Sequence, residues 1–472
     1  MAKIAIIGAG GHVFPLRLAA DILSFPALQN STLALMDIDA QRLQVTAGHV
    51  QALISHHALP ARLQVTTDRR AALDGADYVI ITFQVGGLEA YELDVEIPRR
   101  YGLDQPVGDT VGPGGVMRFL RSAPAYKIIV QDMLELCPDA LLINYANPMA
   151  MSCWYLSRLG VRTVGLCHSV QGTTHMLAQQ LGIPDEELTY KSAGINHQAW
   201  LLELSHRGVD VYPKLRQLMR ERYLETAAST RPGAGSLAED KGDHSQLPYN
   251  PSVYEGGQEG VRTSIMEHFG YFHTESSHHA SEYLPYFRKT AAMAQSFIPE
   301  RWDYYEVCRR NLDDDQHALM AELLKELRPS IEYGAVILNA VETNTPAVIY
   351  GNVPNTRLIS NLPDGCSVEV PCLVDANGVQ PTSIGALPPQ LAALNRSNVA
   401  VQELAVEAAV SGDVEHVYHA VALDPLSGAL LTLKQLREMT TELLTAEAQW
   451  LPPLRGMPSG KPEPEPAALA SD

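Results

Sequence analysis

With 472 residues, 46% of them hydrophobic and 19% charged, the chain has ample material for a large buried core, which excludes disordered, collagen-like and small disulfide-scaffold classes. Its 35 Lys plus Arg against 54 Asp plus Glu leave a net charge of -19, which argues against nucleic acid and anionic membrane surfaces as partners. The six cysteines, Cys137, Cys153, Cys167, Cys308, Cys366 and Cys372, are sparse and mostly lie in apolar or Pro-bounded contexts, which suits a reducing cytoplasm better than a disulfide framework or a zinc knuckle.

The chain opens with a strand, Lys3 to Ile7, that runs into glycines and reads differently from a signal peptide. No later run reaches the roughly 18 apolar residues of a membrane-spanning helix. A helix over Pro15 to Phe25, a strand over Thr32 to Met36 ending at Asp37, a helix over Gln41 to Leu59 and a strand over Tyr78 to Phe83 follow. The alternation continues through helix Ser122 to Leu136, strand Ala140 to Tyr145, helix Pro148 to Leu159 and strand Thr163 to Leu166. Such alternation predicts a parallel sheet wound with crossover helices, hence a Rossmann-like doubly wound domain over residues 1–195.

From Trp200 onward the pattern predicts longer helices, interrupted by a polar, Gly- and Ser-rich excursion over 227–257. Helical periodicity returns over Arg262 to His268, Ala291 to Leu327, Pro388 to Val410 and Val414 to Ala446, with short β-rich runs at Ala347 to Tyr350 and Ser367 to Val370. The expectation is an α/β chain whose second domain, 196–451, is mixed α+β, followed by a flexible tail over 452–472 rich in Pro, Ala and Glu.

Gly8-Ala9-Gly10, directly after a strand and ahead of a helix, has the form of a dinucleotide phosphate loop. Alone it could be a tight turn, and Val13 stands where the fingerprint has its third small residue. Asp37 at the end of the second strand favours the dinucleotide reading, and NAD over NADP, because a carboxylate suits ribose hydroxyls and repels a 2′-phosphate. Cys167 ends a strand at the sheet edge where open α/β folds bind ligands, His168 follows it, and His197 comes thirty residues later. A thiolate and an imidazole brought together bind a divalent cation, although each is also a common core or cap residue. Asn147 projects from the same edge or caps a helix. Asp109-Thr110 and Gly112-Pro113-Gly114-Gly115 form a loop ahead of Arg118 and Arg121, which serves a substrate or is a turn before a solvated helix face. The irregular His268, His273, His278 and His279 do not have metal-ligand spacing.

Gly165-Leu166-Cys167-His168-Ser169-Val170-Gln171-Gly172-Thr173 followed by Gly194-Ile195-Asn196-His197 resembles glycoside hydrolase family 4, the NAD- and metal-dependent glycosidases that depart from the two-carboxylate mechanism. The resemblance extends over nearly the whole chain, through Asp37-Ile38-Asp39, Thr82-Phe83-Gln84-Val85-Gly86-Gly87, Asp109 to Arg118, Asn144 to Met149 and Gly270-Tyr271-Phe272. Cys-His-Ser-Val after the strand looks like the α-galactosidase (melibiase) branch, whereas members acting on 6-phosphosugars carry an acidic or amide residue after the cysteine.

The resemblance implies a fold like that of lactate and malate dehydrogenases, NAD and Mn2+ as cofactors, an α-glycoside substrate and a homodimer or homotetramer. It implies oxidation at sugar C3, removal of the acidified C2 proton, elimination of the C1 leaving group, addition of water and re-reduction. It assigns Cys167 and His197 to the metal, Gly8, Gly10, Gly11, Asp37, Thr82 and Gln84 to NAD, and Asn147, Asp109 and Arg118 to the substrate. Tyr283 becomes the base, with Tyr286 as the second choice, and His168 stands where phosphosugar enzymes carry an Asp thought to be the general acid. A family 4 α-glucosidase or α-hexuronidase, a 2-hydroxy-acid dehydrogenase that accumulates NADH, and an NAD-binding sensor without turnover are the alternatives.

Overall fold

Strand β1 (Lys3–Ile7) buries four of its five residues, as a central strand covered by helices on both faces must. With β2 (Thr32–Met36), β3 (Arg62–Thr66), β4 (Tyr78–Ile81), β5 (Leu141–Asn144) and β6 (Thr163–Leu166) it forms a parallel sheet in the order β3-β2-β1-β4-β5-β6, the doubly wound order of dinucleotide-binding folds. The structure is a computed structural model that describes residues 1–11, 13–225, 258–301, 303–309 and 313–457. The polar excursion read over 227–257 and the end of the tail, 458–472, lie outside the described residues.

The same sheet continues into the second half of the chain. Strands β7 (Leu188–Ile195) and β8 (Gln198–His206) form a hairpin, followed by β9 (Val209–Asp210), β10 (Phe272–His273), β11 (Ala347–Pro354), β12 (Ser367–Asp375) and β13 (Gly378–Pro381). β11 pairs antiparallel with β6 through Gly351 opposite Leu166, and the order runs on as β6-β11-β12-β7-β8-β10, with β9 on β8 and β13 on β12. Buried Ile, Leu, Val and Ala from both halves form one large core cluster, which includes Cys366 and Cys372. All six cysteines are unpaired, and among the described residues no helix is long and apolar enough to cross a membrane.

Several local expectations need correction. Gly112-Pro113-Gly114-Gly115 is the first turn of a 25-residue helix, Gly112–Leu136, rather than a loop. Its glycines are there for contact: a Cβ on Gly114 would stand 2.4 Å from Gly108 O, and one on Gly115 2.5 Å from Thr110 C. Trp200 opens no helix; it lies in β8, where Ala199, Trp200 and Leu201 are buried in succession and Leu202 is half-buried, so the run lacks the two-residue alternation of a half-exposed strand. The run expected over Ala291 to Leu327 is three helices, and so is that over Val414 to Ala446. β3 and the helices Gly87–Arg100 and Tyr333–Thr343 had no prediction. The tail expected from Pro452 is packed as far as Met457: Leu454 is buried and Arg455 N–H donates to Gly412 O at 2.7 Å.

Candidate active site at the carboxyl edge of the sheet

The parallel strands β1, β4, β5 and β6 end on one edge, and the residues that follow them collect there. After β1, Gly8 adopts φ +96°, and a Cβ there would lie 2.6 Å from Phe83 N. Gly10 N–H donates to Asp37 Oδ2 at 2.8 Å, and a Cβ on Gly10 would lie 2.8 Å from Asp37 Cγ. Only glycine lets this loop lie against the ends of β2 and β4, and the helix that follows starts at Phe14. Thr82 Oγ1 donates to Gly8 O at 3.0 Å, which ties the loop to β4, and Gln84 Nε2 donates to Gly87 O at 2.8 Å.

After β5, Asn147 stands outside the helix Met149–Arg158 and donates from Nδ2 to Asp109 Oδ2 at 3.3 Å. Arg118 Nη1 lies 3.5 Å from the same oxygen, and its Nε donates to Asn147 O at 3.3 Å. Asp109, Asn147 and Arg118, far apart in the chain, thus form one cluster, in which Asp109 Oδ1 and Arg118 Nη1 are buried without a hydrogen-bond partner. Such atoms occur elsewhere in the fold, but here two of them, on an acid and a base, meet in one cluster and leave it hydrogen-bonding capacity for another polar molecule.

After β6 comes Cys167. Its Sγ lies 3.2 Å from His197 Nε2, and His197 Nε2 lies 3.6 Å from Glu275 Oε2. The three ligand atoms are within 4.8 Å of one another, the group of described residues with metal-holding geometry. His197 occupies the second position of the two-residue turn between β7 and β8 with φ 59°, a left-handed conformation uncommon for a side-chain-bearing residue and frequent at functional sites. Burial pushes the Cys167 thiol up to about 11, so a thiolate at neutral pH requires a neighbouring cation. Burial works against the Glu275 charge, but His197 and His279 outweigh it and hold the carboxyl below its ordinary range. His168 keeps about a third of its side chain exposed, 36%, with Nδ1 3.4 Å from Glu332 Oε1. Burial disfavours its charged form, yet Glu332 prevails and raises it to about 9.

Tyr283 is buried and its hydroxyl is 2.9 Å from Thr110 Oγ1, beside Asp109; burial raises its phenol well above the usual value. Tyr286 does not reach this place: it is 46% exposed and lies against Phe269 and Phe287. The four-residue helix Ser277–Ala280 turns His278 towards Glu300 O (3.3 Å) and His279 towards His197 (Nε2 to Nδ1, 3.0 Å). His268 faces Ser264 O and His273 accepts from Glu275 N–H. Sequence reasoning had Thr110 only as part of a substrate loop and set His279 aside; it missed Glu275, Glu282, Glu332 and Glu369, the last a fully buried carboxyl raised to about 7 by burial. The available signal was the spacing of His279, Glu282 and Tyr283 at i, i+3 and i+4, which puts the three side chains on one side of a helical turn.

The model of the Family 4 glycosyl hydrolase matches residues 3–183, and that of the Family 4 glycosyl hydrolase C-terminal domain matches residues 192–427. The chain belongs to glycosyl hydrolase family 4. This family 4 chain is 38% identical over 462 residues to an alpha-galactosidase of Bacillus subtilis (strain 168), covering 96% of this chain and 99% of the relative. It is 37% identical over 465 residues to an alpha-galactosidase of Rhizobium meliloti (strain 1021), covering 95% and 89%. Its fold is similar to that of a 6-phospho-alpha-glucosidase from gut microorganisms solved in complex with NAD and Mn2+, at a TM-score of 0.74, 22% identity and coverage of 96% of this chain and 99% of the other.

Proposed function

We propose that this family 4 glycosidase is a cytoplasmic NAD- and Mn2+-dependent α-galactosidase that acts on melibiose-type α-galactosides. The observation that carries the reading is the convergence of Cys167, His197 and Glu275 on the strand edge that also bears the Gly8–Gly11 loop and the Asp109–Asn147–Arg118 cluster. The substrate follows the two alpha-galactosidase relatives.

The residues fit both cofactors. A sulfur, an imidazole nitrogen and a carboxylate oxygen within 4.8 Å suit a divalent cation and leave positions for sugar oxygens. The loop at Gly8, Gly10 and Gly11, into which a Cβ at Gly8 or Gly10 would clash, suits a pyrophosphate, with Thr82 bonded to Gly8 O, Gln84 two residues further along the chain and Asp37 selecting NAD. When bound, the pair supplies hydride acceptance at sugar C3 and electrophilic polarisation of the C2 and C3 oxygens.

The protein's own groups do the rest. Asp109, Arg118 and Asn147 bind and orient the sugar hydroxyls, using the buried atoms Asp109 Oδ1 and Arg118 Nη1 that have no partner. Tyr283, held by Thr110, takes the C2 proton. Burial raises this phenol, and a divalent cation held by Cys167 and His197 would oppose that rise. His168, partly exposed and held by Glu332, is the donor to the C1 leaving oxygen. In this reading residues 1–195 hold the cofactor, and residues 196–451 wall the substrate and support a homodimer or homotetramer.

The test is a panel of nitrophenyl α-glycosides with NAD+, Mn2+ and a thiol reductant. The expected result is hydrolysis of the α-galactoside without net NADH. Preference for the α-glucoside or an α-uronide moves the substrate to those branches, and net NADH from a 2-hydroxy acid overturns the glycosidase reading.

A further inference from the structure

His197 can serve as a ligand only through a nitrogen that carries a lone pair, and the proton on its other nitrogen must be held by a partner. The nitrogen that faces Cys167 is Nε2, so the surroundings of Nδ1 decide the matter. Those surroundings end in Glu282, whose side chain is fully buried. Its Oε1 accepts from Val107 N–H at 2.6 Å and its Oε2 from Gly108 N–H at 3.2 Å, so it acts as an acceptor on both oxygens. The remaining neighbour, His279 Nδ1, lies 2.8 Å from Oε2 and must therefore donate.

An imidazole with its proton on Nδ1 presents a lone pair at Nε2. Facing that lone pair are His197 Nδ1 at 3.0 Å and the Thr110 hydroxyl at 2.7 Å, with the Tyr283 hydroxyl 2.9 Å beyond Thr110. Two lone pairs cannot face each other at 3.0 Å, so His197 Nδ1 carries the proton and donates, and His197 Nε2 is left with its lone pair 3.2 Å from Cys167 Sγ and 3.6 Å from Glu275 Oε2.

We propose that His279, anchored by Glu282, is a positioning residue that fixes the Nδ1–H tautomer of His197 and so makes the Cys167–His197–Glu275 set ready for a divalent cation. Through Thr110 the same ring joins the cation site to Tyr283. The inference rests on the reading of Cys167 and His197 as ligands. Where a ligand histidine usually donates straight to a carboxylate or a carbonyl, this chain interposes a second imidazole.

Co2+ alone, added to the metal-free full-length protein, gives a thiolate-to-cobalt absorption band if Cys167 is a ligand, and Mn2+ competition then gives the affinity. Wild type is expected to show a saturable band that Cys167→Ser abolishes; no band in wild type overturns the ligand reading and this inference with it. His279→Leu removes the acceptor for His197 Nδ1–H and is expected to weaken Mn2+ binding by roughly 10- to 100-fold. In His279→Gln the amide oxygen can take the same N–H, so part of the loss is recovered. Unchanged affinity in His279→Leu alongside an intact Cys167-dependent band overturns the inference alone, and so does equal loss in the Leu and Gln variants. NAD+ binding and the thermal midpoint report whether each variant is folded. Should His279→Leu not fold, Glu282→Gln carries the test with the ring in place: weaker Co2+ binding supports the assignment and unchanged binding overturns it.

Discussion

Arg118 and Arg121 stand one turn apart on the helix Gly112–Leu136, and their surroundings differ in kind. Arg121 is enclosed and partnered on every nitrogen: its side chain is 0% exposed, it meets Asp94 at 2.7 and 2.9 Å, and it also bonds Glu447 at the end of the helix Leu433–Ala446 and faces Val85 O. Arg118 has one carboxylate, Asp109, at the looser distance of 3.5 Å, and a buried nitrogen with no hydrogen-bond partner. The first guanidinium joins three segments of the fold through all three of its nitrogens; the second keeps capacity for a ligand. A buried ion pair is weak evidence for stability as such, yet breaking one by removing a single partner is costly, so the two arginines should fail in different ways when replaced.

The largest effect belongs to the open side. Tyr283→Phe is expected to slow exchange of solvent deuterium into sugar C2 by about 10²- to 10⁴-fold, the usual range for loss of a general base, while Tyr286→Phe leaves it near wild type. An unchanged rate in Tyr283→Phe would detach the base from the Asp109–Thr110 side. Arg121→Met leaves Asp94 and Glu447 buried without their cation and is expected to cost about 3–5 kcal/mol in denaturant unfolding. Stability within error of wild type would remove the distinction between the two arginines. Arg118→Met should instead lower kcat/KM by roughly 10- to 100-fold, corresponding to about 1.5–3 kcal/mol for a charge-assisted hydrogen bond, with a smaller change in unfolding free energy. The reverse pattern would mean that Arg118 is structural.

The smallest effect is in pH dependence. Burial raises Asp94, and burial together with Asp94 raises Glu447 well above the ordinary carboxylate value, because two carboxyls share one guanidinium. The folded protein therefore binds more protons here than the unfolded chain, and stability falls as pH rises from about 4.5 upward. Glu447→Gln, which remains neutral, should flatten that decline, seen as a smaller loss of unfolding free energy between pH 5 and pH 8 in urea. An equal decline in both proteins would place the extra proton elsewhere.

Much of the parallel sheet was legible because its strands are short apolar runs next to glycine or polar punctuation: β2 and β6 were read with the boundaries they have. β3 was not, since Arg62–Thr66 is only partly buried and lacks such a run. Arg118 and Arg121 read alike in sequence, and a solvated helix face was one expectation for both. Asp94 and Glu447 approach from helices 27 residues before and 326 residues after Arg121, a convergence that no local pattern carries. The Asp109 cluster was reached through resemblance, and its unpartnered atoms only through packing.

What the sequence determined alone was local: a glycine loop directly after a strand, an acid at the end of the next strand, and a cysteine at the end of β6 all follow from adjacency in the chain. Tertiary structure decided every choice between like neighbours. His279 rather than His278 meets His197, because successive residues on a helical turn point about 100° apart and only the packing of that turn says which one faces inward; Tyr283 rather than Tyr286 lies beside Thr110 because the non-helical chain after that turn buries the first ring and leaves the second exposed. Glu275 reaches Cys167 across more than a hundred residues because β8 pairs with β10 and β11 pairs with β6, which brings the second half of the chain onto the edge where the first half ends its strands.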